Sequence, residues 1–287
     1  MKVSVNYWMV GGFEGELPIA DAAQTAKSIG YDAIELCYGA GELLPSTDEG
    51  KLAALRSRIA EAGLEIASLA TGAYWRTSLS SPDDTERTAA VEFTEAYIKA
   101  AGALGVDAVL VVPGSVDVGW DPSRPVVPAK QAYALSQRSI RTLLPVAEAA
   151  GVCVAVENVW NKFLTGPFEF ASYIDSFASP FVKAYFDVGN CLINGYPEHW
   201  IELLGDRIAR LHFRNFTRKN CGGTLDDFAA SLLDGDVDWR RVFEALNAIG
   251  YDGYVTAEVI VGDAGMPNIE QAERVCGEMK RLIEQYG

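Results

Sequence analysis

Five times along the chain a helical stretch ends in glycine and runs directly into a short apolar strand pattern: "SIGYDAIEL", "EAGLEIASL", "ALGVDAVLV", "EAAGVCVAV" and "AIGYDGYVT". Glycine at such a junction takes the left-handed turn that ends a helix and sends the chain back into a sheet. The alternation of period continues from end to end. Strands are expected at 2–8, 31–38, 64–71, 106–114, 152–159, 182–190, 208–216 and 251–259. Helices are expected around 18–30, 48–62, 84–104, 128–150, 167–177, 197–206, 238–249 and 268–285. Eight strand–helix units in 287 residues imply an α/β fold closed on itself, the (β/α)8 or TIM barrel. An open doubly wound sheet is the competing solution, but no G-x-G-x-x-G follows the first strand. No linker or low-complexity tract interrupts the pattern, so residues 1–287 are expected to form a single domain.

In such a barrel the reactive groups sit at the C-terminal ends of the strands, on side chains that point inward. The fifth strand, "VCVAVENVW", puts bulky Val152, Val154 and Val156 on one side and Cys153, Ala155 and Glu157 on the other. The valines suit the layer between sheet and helices, so Glu157 points inward. The same alternation turns Asp187 inward against Phe186, His212 against Leu211 and Phe213, and Glu258 against Val255, Ala257 and Val259. Each residue alone has an ordinary structural explanation, as a cap, a turn-former or a packed core histidine. Together they deliver one ligand-type side chain from each of the last four strands to one end of the barrel. Three carboxylates crowded there repel one another in a low dielectric and call for a cation. Oxygen donors with one imidazole suit Mn²⁺, Mg²⁺ or Co²⁺, and four protein ligands leave two octahedral positions for substrate oxygens.

Composition removes other classes of function. A net charge of −15 repels phosphate backbones and anionic lipid, so neither nucleic acid nor membrane is an expected partner. No apolar run approaches the roughly 20 residues that span a bilayer, and no secretory leader precedes the first strand. Five cysteines (Cys37, Cys153, Cys191, Cys221 and Cys276) without a C-x-x-C pair fit reduced thiols and a cytoplasmic location. His199, in "YPEHWIELL", is expected on a surface helix with a structural role.

The order Glu157 in "VAVEN", Asp187 in "FDVGN", His212 in "LHFRNF" and Glu258 in "VTAEV" resembles the sugar isomerase/epimerase superfamily with a xylose-isomerase-like TIM barrel. "GDVDW" at 235–239 and "GYDGYVTAE" before the last strand extend the resemblance over essentially the whole chain. Within the superfamily the chain looks most similar to ketose and ketose-phosphate 3-epimerases. The resemblance implies one divalent metal on Glu157, Asp187, His212 and Glu258, with Mn²⁺ foremost and Mg²⁺, Co²⁺ or Zn²⁺ as alternatives. It implies an isomerase in which Glu157 and Glu258 are also the acid–base pair, moving the C3 proton of a ketose through a cis-enediolate. It further implies a homodimer or homotetramer acting on a small sugar or sugar phosphate.

Some positions depart from the free-ketose pattern. Asn190 stands where those enzymes carry a histidine, so that "DVGN" resembles the phosphate-sugar branch, and Phe163 replaces a substrate-contacting glutamate. Arg218, six residues past the metal histidine, matches. Arg214 lies above the metal plane, and Arg218 and Lys219 form a positive cluster that favours an anionic substrate. Arg210 lies deeper and is expected to pair with inward Glu35. Trp8, Trp75, Trp120 and Trp160 fall near strand ends, placed to pack on sugar C–H faces. The residues expected around the substrate are therefore Trp8, Glu35, Trp160, Asn190, Arg214 and Arg218. Rival activities are a metal-dependent dehydratase of a keto-polyol, which lacks a suited acid for the leaving hydroxyl, and an aldose–ketose isomerase. A catalytically dead sugar-binding protein is countered by retention of all four ligand residues. The related DNA endonucleases need many histidines, and this chain has two.

Overall fold

The computed structural model describes residues 1–219, 222–260 and 266–287. Its strands are β1 (Lys2–Asn6), β2 (Ala33–Cys37), β3 (Glu65–Ala70), β4 (Ala108–Val111), β5 (Cys153–Glu157), β6 (Val182–Asp187), β7 (Ile208–Phe213) and β8 (Tyr254–Ala257). They pair in parallel in sequence order and β8 returns to β1, which closes the barrel. Around it run α1 (Tyr7–Gly11), α2 (Ile19–Ile29), α3 (Glu49–Glu61), α4 (Asp84–Leu104), α5 (Ala129–Ala150), α6 (Pro167–Asp175), α7 (Pro197–Leu204), α8 (Trp239–Ala248) and α9 (Ile269–Tyr286). The eight expected strands and eight expected helices are all present. No described helix is long and apolar enough to cross a membrane.

Helix ends follow the local chemistry. Asp48, Asp83, Asp238 and Asn268 cap α3, α4, α8 and α9, each accepting a backbone N–H in the first turn. Gly105 and Gly151 end α4 and α5 at φ 75° and 66°, where a side chain would be strained. Several strands are shorter than expected, β4 and β8 among them, and α1 is an added helix. The first strand stops at Asn6 rather than running to residue 8, because the Asn6 side chain caps Trp8 N–H at 2.8 Å and starts α1.

The apolar face of each strand packs on the helices, giving a core that includes Val154, Val156, Phe186, Leu211, Phe213 and Val255. The barrel lumen is different in kind. Ser4, Asn6, Glu35, Ser68, Tyr185, His212 and Thr256 are all buried there; Asn6, Ser68, Tyr185 and His212 bond Glu35, while Ser4 Oγ and Thr256 Oγ1 have no partner among the described residues. Of the five cysteines, Cys37, Cys153, Cys191 and Cys276 are free thiols, and Cys221 lies outside the described residues.

Candidate metal centre

Glu157 ends β5, Asp187 ends β6, His212 is the penultimate residue of β7, and Glu258 follows β8. One donor atom from each lies within 4.8 Å of the others, and all four side chains are buried. β6 and β7 pair Asp187 directly with His212, so the convergence is set by strand register.

Three of the four donors are held by a neighbour. His212 Nε2 lies 2.8 Å from Glu35 Oε1, which fixes the ring and turns Nδ1 toward the other donors. Nδ1 sits 3.6 Å from Glu157 Oε1 and 3.4 Å from Glu258 Oε2. Glu35 is fully buried and also accepts from Asn6 Nδ2 at 2.7 Å, from Ser68 Oγ at 2.6 Å and from the Tyr185 hydroxyl. Burial alone would raise its pKa, but the His212 charge and these hydrogen bonds overcome that and lower it. Asn158 brackets the Asp187 backbone, accepting its N–H at 2.8 Å and donating Nδ2 to its carbonyl at 2.9 Å. Asn190 N–H donates to Asp187 Oδ1 at 2.6 Å, and Asn190 Nδ2 to the Asn158 carbonyl at 3.0 Å. Arg214 Nη1 donates to Glu258 Oε2 at 2.8 Å and lies 3.5 Å from Asp187 Oδ2. The guanidinium carbon lies 3.8 Å from the Phe228 ring centroid, and the stem of the side chain passes Gly189, where a Cβ would meet Arg214 Cγ at 2.5 Å.

The donor set fits a divalent cation on several counts. His212 Nδ1 and Asp187 Oδ2 are buried without a hydrogen-bond partner, and such orphans cost on the order of 1–3 kcal/mol each. Burial, reinforced by the Glu258 charge, pushes Glu157 up to about 7. Burial also raises Asp187 to about 6, against the pull of Arg214. Burial disfavours the charged form of His212, yet Glu35 and Glu258 carry its pKa well above the ordinary imidazole value. These are the marks of a site short of positive charge. Three carboxylates against Arg214 leave two negative charges, which one divalent ion balances. A mostly oxygen shell with one imidazole accommodates Mn²⁺, Mg²⁺ or Co²⁺.

Glu157 and Glu258 open onto a cavity of about 670 Å³ whose wall includes Trp8, Trp75, Trp120, Trp160, Asn190 and Arg214. Trp8 stacks on Phe13 with centroids 4.5 Å apart, and Trp160 stacks on Phe228 at 4.9 Å. Trp160 Nε1 donates to the Asn190 carbonyl at 2.9 Å, which locks the indole. A second chamber of about 740 Å³ adjoins the first across Trp120, Val159, Trp160, Asn190, Leu225 and Asp226.

Three expectations are corrected. Arg210 does not pair with Glu35. Its guanidinium binds Asp107 before β4 and the Ala67 carbonyl at 2.8 Å, and lies 5.2 Å from the Tyr254 ring centroid at the opposite end of the barrel. Glu35 is not on the cavity wall, because it lies beneath His212 with its oxygens occupied. Arg218 does not line the cavity and lies 4.7 Å from the Tyr196 ring centroid and 3.9 Å from Asp236, while Lys219 pairs with Asp227. Phe163 packs against Tyr133 and Tyr173, away from the cavity, and His199 is exposed beside Tyr196. Sequence reasoning missed Asn158, Phe13, Phe228 and the Asn6–Ser68–Tyr185 support of Glu35. Inward parity marks Ser68 and Tyr185 as lumen residues, but nothing local marks Phe228.

Comparison with known proteins agrees with this architecture. SgbU of Escherichia coli (strain K12), which carries the provisional name L-ribulose-5-phosphate 3-epimerase, is 27% identical over 261 residues, covering 87% of each chain. The L-ribulose-5-phosphate 3-epimerase UlaE of Salmonella heidelberg (strain SL476) is 25% identical over 274 residues, 92% of this chain and 91% of its own. Among solved structures, a D-psicose 3-epimerase crystallised in the presence of D-fructose superposes with a TM-score of 0.79 at 17% identity, covering 100% of this chain and 99% of that one. The family model described as the xylose isomerase-like TIM barrel matches residues 23–282, and the chain belongs to that family.

Proposed function

We propose that the protein is a metal-dependent isomerase that inverts C3 of a ketose or ketose phosphate, using Glu157 and Glu258 as its acid–base pair. In this reading residues 1–287 act as one domain, in the cytoplasm, as a homodimer or homotetramer with Mn²⁺ as the working cation. One observation carries it. Two buried glutamates lie within 3.6 Å of the same imidazole nitrogen at the floor of an aromatic-walled cavity. Its relatives and a structural neighbour, named as ketose or ketose-phosphate 3-epimerases, support the same reaction type.

Inverting a carbon beside a ketone needs a base on one face and a proton donor on the other. Glu157 and Glu258 supply these from different strands. Arg214 holds one oxygen of Glu258 at 2.8 Å and leaves the other to meet a substrate C–H. A divalent cation held by Glu157, Asp187, His212 and Glu258 would polarise the ketone and stabilise the charge that develops as the C3 proton leaves. Glu35 keeps His212 oriented, and the Asn158–Asn190 clasp keeps Asp187 in place. Trp8 and Trp160 present flat apolar faces that pack on sugar C–H groups and exclude water.

The test is proton exchange by NMR in D₂O with added Mn²⁺ and a panel of ketoses and ketose phosphates. The expected result is deuterium at C3 with a second epimer appearing, both lost in Glu157→Gln and Glu258→Gln. Exchange at C1 would instead establish an aldose–ketose isomerase. Dehydration of a keto-inositol without any epimer would establish a lyase.

A further inference from the structure

We propose that the second chamber seats an additional sugar ring, so that the substrate is a ketose carrying an uncharged glycosyl group on the end remote from its ketone. The proposal rests on the epimerase reading above and specifies its substrate.

Size is the first argument. Ligand pockets run from about 300 to 1,000 Å³, so the 670 Å³ cavity over the four donors already holds a single open-chain sugar. The adjoining 740 Å³ is surplus to that need. The two spaces share a wall of Trp120, Val159, Trp160, Asn190, Leu225 and Asp226, so one extended molecule can occupy both.

The second argument is chemical. The residues that line only this chamber include apolar Leu164, Ile193 and Trp200 and polar Thr165, Asn194 and Thr224. Flat apolar surfaces bordered by hydroxyl and amide groups match a pyranose ring, whose C–H face packs on indole while its hydroxyls bond at the edge. At the shared border Trp120 and Leu225 are 41% and 51% exposed, so their apolar surface is open to a bound ring.

Charge is the third argument, and it separates a glycosyl group from a phosphate. Among the described residues the second chamber has one cation on its wall, Lys162, which is paired with Asp117. Residues 220–221 and 261–265 contain no lysine or arginine. Arg214 is engaged with Glu258, Lys219 with Asp227, and Arg218 with Tyr196 and Asp236. Asp226 stands on the shared wall, where a phosphate dianion would meet a carboxylate. An uncharged ring meets no such opposition.

The probes are isomaltulose (a 6-O-glucosyl fructose), D-fructose and D-fructose 6-phosphate, compared by C3 exchange in D₂O with added Mn²⁺. Isomaltulose is expected to exceed D-fructose in kcat/KM by about tenfold, one ring's worth of contact, with the phosphate below both. Thr165→Trp, an exposed position that borders only the second chamber, should abolish the advantage and leave D-fructose exchange unchanged. Ile193→Trp repeats the test from a second position that lines only this chamber. A preference for the phosphate, or equal rates with and without the glucosyl ring, would overturn the proposal. Saturation-transfer NMR reads binding apart from turnover. If no sugar exchanges, the epimerase reading fails, while a glucosyl-ring signal lost in Thr165→Trp would still support the chamber and its absence would refute it.

Discussion

Glu35 touches neither substrate nor cation, yet its removal should be felt at both. Four donors converge on its carboxylate: His212 Nε2 at 2.8 Å, Asn6 Nδ2 at 2.7 Å, Ser68 Oγ at 2.6 Å and the Tyr185 hydroxyl. In Glu35→Gln the amide oxygen can still face His212 and Asn6, while its NH₂ turns to the two hydroxyl oxygens, which are able to accept. The fold should therefore survive. The charge that raises the basicity of His212 is gone, however, and so is one of the negative charges near the cation. Both changes weaken binding in the same direction. Loss of such a supporting partner costs about 10–100-fold in metal affinity, which corresponds to about 1.4–2.7 kcal/mol. Glu35→Leu adds a structural penalty, because His212 Nε2–H and Asn6 Nδ2–H lose their acceptor, at about 1–3 kcal/mol for each orphaned donor. The assay is Mn²⁺ titration of chelator-treated protein followed by electron paramagnetic resonance, with thermal unfolding of each variant alongside. The Gln variant should bind at least about tenfold more weakly with a near-native Tm, and the Leu variant should lose both. A Gln variant that binds Mn²⁺ as tightly as the parent would refute the idea that Glu35 sets the ligand strength of His212.

Stability without cation should fall as pH rises. The pKa values of Glu157 and Asp187 are raised to about 7 and about 6, and that of His212 is also raised, so the folded state holds protons that the unfolded chain has released. In excess chelator Tm is expected to drop between about pH 5 and pH 8, and Mn²⁺ should cancel the drop; a flat chelated profile would contradict the site's charge deficit. Gly189→Ala should lower kcat/KM by dislodging Arg214, since the new Cβ would lie 2.5 Å from Arg214 Cγ and 3.1 Å from its carbonyl; unchanged kinetics would show that Arg214 has room to move. Arg210→Met should lower Tm by an amount equivalent to about 1–3 kcal/mol through the loss of its bonds to Asp107 and Ala67. The same variant should leave kcat intact, and a fall in kcat at unchanged Tm would return Arg210 to the active site.

The fold was legible because its evidence is local. Each strand announces itself by an apolar run, and five of the turns that feed strands carry glycine, so period and junction chemistry together yield eight units. The four donors were legible for a related reason, since inward parity and position at a strand end are both readable within one strand. Depth was not. Arg210 and Glu35 share inward parity, but barrel stagger puts Glu35 in the layer of Asn6 and Ser68, beneath His212, and leaves Arg210 near Asp107. That offset accumulates around the whole barrel and appears in no single strand. Phe228 was invisible for another reason. It reaches Arg214 from a long excursion after β7, anchored by a bridge to Phe216 that no periodicity encodes. Asn158 stood beside Glu157 in plain view, but its clasp on Asp187 needs β5 and β6 already side by side.

The Glu35 carboxylate also says something about how the molecule is assembled. It joins residues 177 positions apart through His212 and 150 apart through Tyr185, so one side chain fastens the first third of the chain to both the middle and the last. Contacts of that sequence separation form late, after local helices and neighbouring strands are in place. Until the ends meet, His212 has nothing to hold its ring, and the four donors are not a site. Cation uptake during refolding should therefore lag behind the recovery of helical signal, and Mn²⁺ capture in a stopped-flow experiment becomes a clock for ring closure. Simultaneous recovery of the two signals would mean that the donors assemble before the barrel shuts. In this chain the step that completes the architecture is the same step that creates the chemistry, and a nascent polypeptide lacking its last strands has neither.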